Sequence, residues 1–200
     1  MLLFAGTLLI VGGAFAGPPT ILVLGDSLSA AYGLRTEEGW VALLERRLVQ
    51  AGLDYRVVNA SISGDTTGGG LTRLPQALER HRPHLVVIEL GANDGLRGLP
   101  FREIEANLTA LIGLARAAGA QVLLVGVRLP PNYGAAYTEG FQASLRKVAE
   151  AEAVPLAPDL LAGVAEDRQL MQADGLHPKA EAQSILLDNV WPKLEPLLSR

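Results

Sequence analysis

The residues of this chain best suited to covalent chemistry are a serine and a histidine far apart in sequence. Ser27 lies in Gly25-Asp26-Ser27-Leu28-Ser29, and His177 lies in Asp174-Gly175-Leu176-His177-Pro178. A serine hydroxyl becomes a nucleophile when a base takes its proton, and an imidazole oriented by a carboxylate is well suited to that task. Asp174 precedes His177 closely enough to reach its second ring nitrogen, which gives a triad in the chain order Ser, Asp, His. Taken alone, Gly-Asp-Ser is more often a turn that caps a helix, and a histidine among Gly and Pro is as readily a solvated surface residue. Only their conjunction points to acyl transfer.

Acyl transfer also needs donors aimed at the developing oxyanion. Three are available: the Ser27 backbone N–H at a helix start, the Gly64 backbone N–H, which no side chain shields, and the Asn93 side-chain amide. Singly, Gly64 and Asn93 read as turn formers; their equivalent placement in polar, glycine-containing loops does not follow from that reading. Asp26, Asp65 and Asp94 adjoin these positions and could suggest a metal, but Asx-type hydrogen bonds holding three tight turns explain them without a cation. His81 and His84 flank Arg82-Pro83 and read as a helix-to-strand connection. With no cysteine, thiolate nucleophiles, disulfides and Cys-based metal sites are excluded. No metal and no cofactor is expected.

These loops must be held by a frame. Nearly continuous apolar runs at Thr20 to Leu24, Tyr55 to Asn59, Leu85 to Leu90 and Gln121 to Val127, with a short run at Val154 to Ala157, read as strands covered on both faces. Helical patterns fall at about Trp40 to Gln50, Leu71 to His81, Arg102 to Ala118, Thr138 to Ala151 and Lys179 to Leu198. The alternation predicts one α/β domain with a parallel sheet, right-handed crossovers and helices on both sides. Ligands of such sheets bind beyond the strand carboxyl ends, where the loops at Ser27, Gly64 and Asn93 fall.

The first residues stand apart from that frame. Leu2 to Phe15 is apolar, too short to span a bilayer, and ends in Ala14-Phe15-Ala16, so residues 1–16 read as a signal peptide, although no Lys or Arg precedes Arg35. Residues 17–200 would then form a secreted or periplasmic hydrolase domain without stable membrane insertion. At 49% hydrophobic residues and a net charge of -4, with no Lys/Arg cluster, the chain is globular and offers nucleic acid no electrostatic footprint. No exposed apolar stripe forces association, so a monomer is expected.

Four blocks in order, Gly25 to Ser29, Gly64, Gly91 to Asp94 and Asp174 to His177, resemble those of the SGNH, or GDSL, hydrolases. Ser61 to Thr66, Asn93 to Gly98 and Arg128 to Gly134 are similar to the branch comprising thioesterase I, lysophospholipase L1 and arylesterase. The resemblance implies a three-layer α/β/α flavodoxin-like sandwich with a five-stranded parallel sheet. It also implies hydrolysis of carboxylic esters and thioesters of acyl chains through an acyl-enzyme intermediate. In that family the Gly95 to Pro100 loop moves on substrate binding, which implies an apolar acyl wall of Leu96, Leu99, Leu129 and Pro130. Arg97 and Arg128 read as solvated surface charges. A carbohydrate O-acetylesterase and a non-catalytic lipid-binding protein on the same fold are the alternatives. An α/β-hydrolase elbow is excluded because Ser29 stands where G-x-S-x-G needs its last glycine. Phosphate loops are excluded because the run at Gly68 to Gly70 leads to no Gly-Lys-Ser/Thr ending.

Overall fold

The computed structural model describes residues 17–198; the expected signal peptide at 1–16 lies outside them. Five strands, β1 (Thr20–Gly25), β2 (Arg56–Asn59), β3 (Leu85–Glu89), β4 (Gln121–Val125) and β5 (Leu156–Ala157), form one sheet. Their order is β2-β1-β3-β4-β5 and every neighbouring pair is parallel. Successive side chains of the central strands point to opposite faces, so each apolar run feeds two cores. Ile21, Val23, Leu85, Val87, Leu123 and Val125 face one core; Leu22, Leu24, Val86, Ile88, Val122 and Leu124 face the other.

Helices α1 (Trp40–Gln50) and α6 (Gln183–Leu194) cover the first face with Trp40, Leu44, Leu48, Leu186 and Val190. Three long helices cover the second: α2 (Thr67–His81), α4 (Phe101–Ala117) and α5 (Ala135–Ala151). A short α3 (Ala92–Leu96) lies between β3 and α4. On α4 the buried residues Ile104, Leu108, Leu111, Ile112 and Ala115 recur at helical spacing, which is why that stretch lies flat on the sheet. The first turn of α1 lacks a capping side chain of its own, and the buried Gln183 of α6 accepts the Trp40 N–H at 3.0 Å instead.

Several elements differ from their expected extents, among them β4, β5 and α5 by two or three residues, and three of the differences have identifiable reasons. Helix α2 starts four residues before the predicted Leu71, because Thr66 accepts the Gly69 N–H at 3.1 Å and caps a turn made of glycines. Gly70 has no room for a side chain beside Leu90. The last predicted helix, Lys179 to Leu198, is α6 flanked by single 3-10 turns at Ala180–Ala182 and Glu195–Leu197. Pro196 has no N–H with which to continue the ladder. The loop at Gly91 to Gly95 winds into α3, entered through Gly91 at φ 115°.

The chain leaves β1 toward the sheet edge at β2 and returns across β1 to β3. Connections from β1 and β3 therefore depart in opposite directions, and their carboxyl ends flank a crevice.

Candidate active site

Ser27 follows β1 directly, at the mouth of that crevice. Gly25 makes the tight exit possible: a Cβ there would lie 2.7 Å from the Ser29 side chain and 2.8 Å from a Glu89 carboxylate oxygen. Asp26 Oδ1 accepts the Leu28 N–H at 3.0 Å, an Asx turn that locks the bend. Ser27 then opens a run of hydrogen-bonded turns rather than the expected regular helix, with Ala30 N–H on the Asp26 carbonyl and Tyr32 N–H on the Ser27 carbonyl.

The histidine arrives from the far end of the chain. His177 Nε2 lies 2.8 Å from Ser27 Oγ, and its Nδ1 lies 2.7 Å from Asp174 Oδ2. Asp174 Oδ1 accepts the backbone N–H groups of Leu176 and His177 at 2.9 and 3.0 Å, so one carboxylate shapes its own turn and aims the ring. Burial alone would raise the Asp174 carboxyl; the hydrogen bonds from His177 and these two N–H groups outweigh it and hold it down at about 2. The turn is fastened to the serine loop by Gln172, whose N–H donates to the His177 carbonyl at 2.7 Å. The Gln172 amide also donates to the carbonyls of Tyr32 and Pro178 at 2.8 and 2.9 Å. Tyr32 packs its ring on the imidazole with centroids 4.4 Å apart. This relay can move the hydroxyl proton onto the ring while Asp174 fixes the tautomer.

Gly64 and Asn93 border the same cleft as Ser27 and His177. Gly64 has φ +79°, a left-handed conformation that glycine adopts without strain. Asn93, in the first turn of α3, has both amide protons engaged: its Nδ2 donates to Asp26 Oδ2 and to the Asp65 carbonyl, each at 2.9 Å. The cleft encloses about 670 Å³, within the range of small-molecule sites. Leu96, Leu129 and Pro130 line it, together with Val127, Leu161 and Met171, whereas Leu99 is partly buried against the second core and does not line the cleft.

The model of the GDSL-like Lipase/Acylhydrolase family matches residues 23–185, which hold Ser27, Gly64, Asn93, Asp174 and His177. The chain belongs to that family. It is 56% identical over 183 residues to esterase TesA of Pseudomonas aeruginosa, covering 92% of this chain and 91% of that relative. It is 44% identical over 184 residues to thioesterase 1/protease 1/lysophospholipase L1 of Escherichia coli K12, covering 92% and 87%. Among solved structures, psychrotrophic esterase EstA from Pseudoalteromonas sp., in a structure inhibited by monoethylphosphonate, matches with a TM-score of 0.84 at 45% identity, over 88% of this chain and 97% of that one. The protein is thus an ester hydrolase on the α/β fold expected from its sequence.

Around the centre of this GDSL hydrolase the charged residues serve the frame. Asp94 is fully buried and accepts both the N–H and the hydroxyl of Thr67, so it binds α3 to the start of α2 instead of closing its own turn. Asp65 pairs with Arg73 at 2.6 Å, and Arg73 reaches on to the carbonyls of Ala60 and Gly25. Arg97 donates to the Gly64 carbonyl at 2.9 Å, and Arg128 bridges Asp159 and Glu166 at 3.3 and 3.5 Å, so neither is a free surface charge. Tyr133 and Tyr137 donate to the carbonyls of Leu96 and Gly95, tying the end of α3 to the start of α5 and the turn before it. Among the described residues no group of three or more His, Asp or Glu side chains is placed to hold a metal ion, and no helix is long and apolar enough to cross a membrane.

Tyr32, Gln172, Tyr137 and Glu89 were not singled out from the sequence. None lies in a motif, and their roles come from contacts made across the fold.

Proposed function

We propose that this enzyme hydrolyses esters and thioesters of apolar acyl chains with Ser27 as nucleophile, His177 as base and Asp174 as its orienting carboxylate. The observation that carries this reading is the unbroken relay Ser27 Oγ, His177 Nε2, Nδ1 and Asp174 Oδ2, at 2.8 and 2.7 Å, opening directly onto a cleft walled by leucines. Ser27 attacks the acyl carbonyl as His177 takes its proton. The oxyanion is met by the N–H groups of Ser27 and Gly64 and the Asn93 amide. His177 returns the proton to the departing alcohol or thiol. Water activated by His177 then adds to the acyl-enzyme, and the acid leaves as Ser27 regains its proton. The curated relatives' names, esterase TesA and thioesterase 1/lysophospholipase L1, support acyl esters and thioesters as the substrate class. A chain-length series of p-nitrophenyl esters and acyl thioesters tests this. Turnover should rise with acyl length until the cleft is filled and vanish in Ser27→Ala; no preference for longer chains would overturn the acyl-wall assignment.

Secretion or delivery to the periplasm, with residues 1–16 removed as a signal peptide, is part of the same proposal. Its support is the apolar stretch ending in Ala14-Phe15-Ala16. The mature chain is proposed to act as a monomer. N-terminal sequencing of the exported protein should begin at Gly17, and sedimentation should give the mass of one chain.

A further inference from the structure

Beside the nucleophile lies a pair of carboxyls that the mechanism above leaves unused. Glu89, the last residue of β3, and Asp26 are each 1% exposed and adjoin one another. Glu89 Oε2 also accepts the Ser29 hydroxyl at 2.7 Å and the Asp26 N–H at 3.3 Å. Asp26 accepts Leu28 N–H on one oxygen and the Asn93 amide on the other. The charged or titratable groups facing the pair are His177 from the C-terminal loop, Asp65 from the loop before α2 and Arg73 from α2 itself. Arg73 is already paired with Asp65 and otherwise reaches the carbonyls of Ala60 and Gly25, so among the described residues no lysine or arginine pairs with either carboxyl. Adjacent buried carboxyls without a cation cannot both be ionised, and they retain one proton between them.

This bears on Asn93. Both of its amide protons are engaged in the free enzyme, yet an oxyanion donor must have one to give. The Asp65 carbonyl is a fixed backbone acceptor, so the bond to Asp26 is the one to be surrendered. We propose that Glu89 is a positioning residue for ester hydrolysis: it stores the proton that lets Asp26 hold Asn93 in the free enzyme and release it to the oxyanion. As Asn93 turns away, Asp26 loses a donor and the shared proton moves from Glu89 to Asp26. The negative charge then passes to Glu89, where Ser29 and the Asp26 N–H hold it, farther from the oxyanion. No proton enters or leaves the pair. In support, burial pushes the Asp26 carboxyl up to about 6, and burial followed by the neighbouring Asp26 charge pushes Glu89 well above the usual carboxylate range.

The proposal rests on the oxyanion role of Asn93, so the test carries Asn93→Ala beside it. Glu89→Gln keeps the shape and an N–H toward Asp26 but cannot transfer a proton. It should lower kcat on a short p-nitrophenyl ester about tenfold, equivalent to one lost strong hydrogen bond in the transition state, with KM little changed. The slope of unfolding free energy with pH near neutrality should change by about one proton, because the wild type retains a carboxyl proton on folding that the variant lacks. Wild-type kcat in Glu89→Gln would overturn the positioning role, and an unchanged slope would overturn the shared proton. If Asn93→Ala turns over like wild type, it is the oxyanion assignment that fails.

Discussion

At Asn93, one side chain holds the resting site together and, under the proposed mechanism, also meets the oxyanion. Removing it should therefore do two separable things. Asn93→Ala is predicted to lower kcat by about 10²–10³-fold, the usual consequence of losing one oxyanion donor. It should also lower stability by roughly 1–3 kcal/mol, since Asp26 Oδ2 and the Asp65 carbonyl each lose a partner. Steady-state kinetics with a denaturant titration on the same preparation read both. A stability loss with normal kcat would leave Asn93 a structural residue. The motif residues were legible in the sequence because each belongs to a short block whose neighbours share its task. Glu89 was not: one glutamate at the end of Leu85-Val86-Val87-Ile88 looks like the polar end of a strand until the fold lays it under Gly25. Gln172 was hidden for the same reason: besides the nearby carbonyls of His177 and Pro178 it reaches that of Tyr32, 140 residues away in sequence.

At the scale of elements, the site depends on tight junctions at strand ends. Gly25→Ala would place a methyl 2.7 Å from Ser29 and 2.8 Å from Glu89, contacts that require the turn or β3 to shift. Overpacking of this kind costs about 1–3 kcal/mol, and here the shift would also move Ser27. The variant should melt earlier and lose most of its turnover; full activity would mean that the exit from β1 tolerates more than its geometry allows. The end of α3, from which the next loop departs, is held by two tyrosine hydroxyls, at 2.8 Å to the Gly95 carbonyl and 3.0 Å to that of Leu96. Tyr137→Phe removes the shorter bond, worth about 0.5–1.5 kcal/mol. Amide exchange at Leu96 to Gly98 should accelerate and KM for long-chain esters should change, with short-chain turnover retained. Unaltered exchange would show that the loop is held elsewhere. The long elements were readable from their apolar periodicity, whereas α3 and the glycine-built first turn of α2 were not. Those two are stabilised by Asp94 reaching across to Thr67 and by Gly70 fitting against Leu90, contacts absent from any local pattern.

For the whole molecule, the carboxyls give opposite pH dependences. Asp174 is held near 2 against an ordinary 3.8, so the unfolded chain binds its proton first; its contribution is present above about pH 4 and lost as pH falls toward 2. Asp26 is raised to about 6, so the folded chain binds a proton the unfolded one has released, and its effect is a loss of stability as pH rises from about 4 through 6; Glu89, pushed well above the usual carboxylate range by burial and the Asp26 charge, carries the loss on to higher pH. Thermal melts should therefore show Tm declining across that second window, and Asp26→Asn should flatten the decline. A Tm that climbs steadily over the same range in wild type would contradict the protonated pair. The parallel order β2-β1-β3-β4-β5 unites these effects, because it sets the ends of β1 and β3 side by side and brings His177 to them from a loop 150 residues away in sequence.

The central claim is that Ser27 is the nucleophile, and covalent trapping tests it most directly. A p-nitrophenyl alkylphosphonate should release one equivalent of p-nitrophenol and add one phosphonyl group to the peptide containing Ser27, read by mass spectrometry. Ser27→Ala should remain unmodified, and His177→Ala should react far more slowly. An adduct on another residue, or equal labelling of Ser27→Ala, would contradict it.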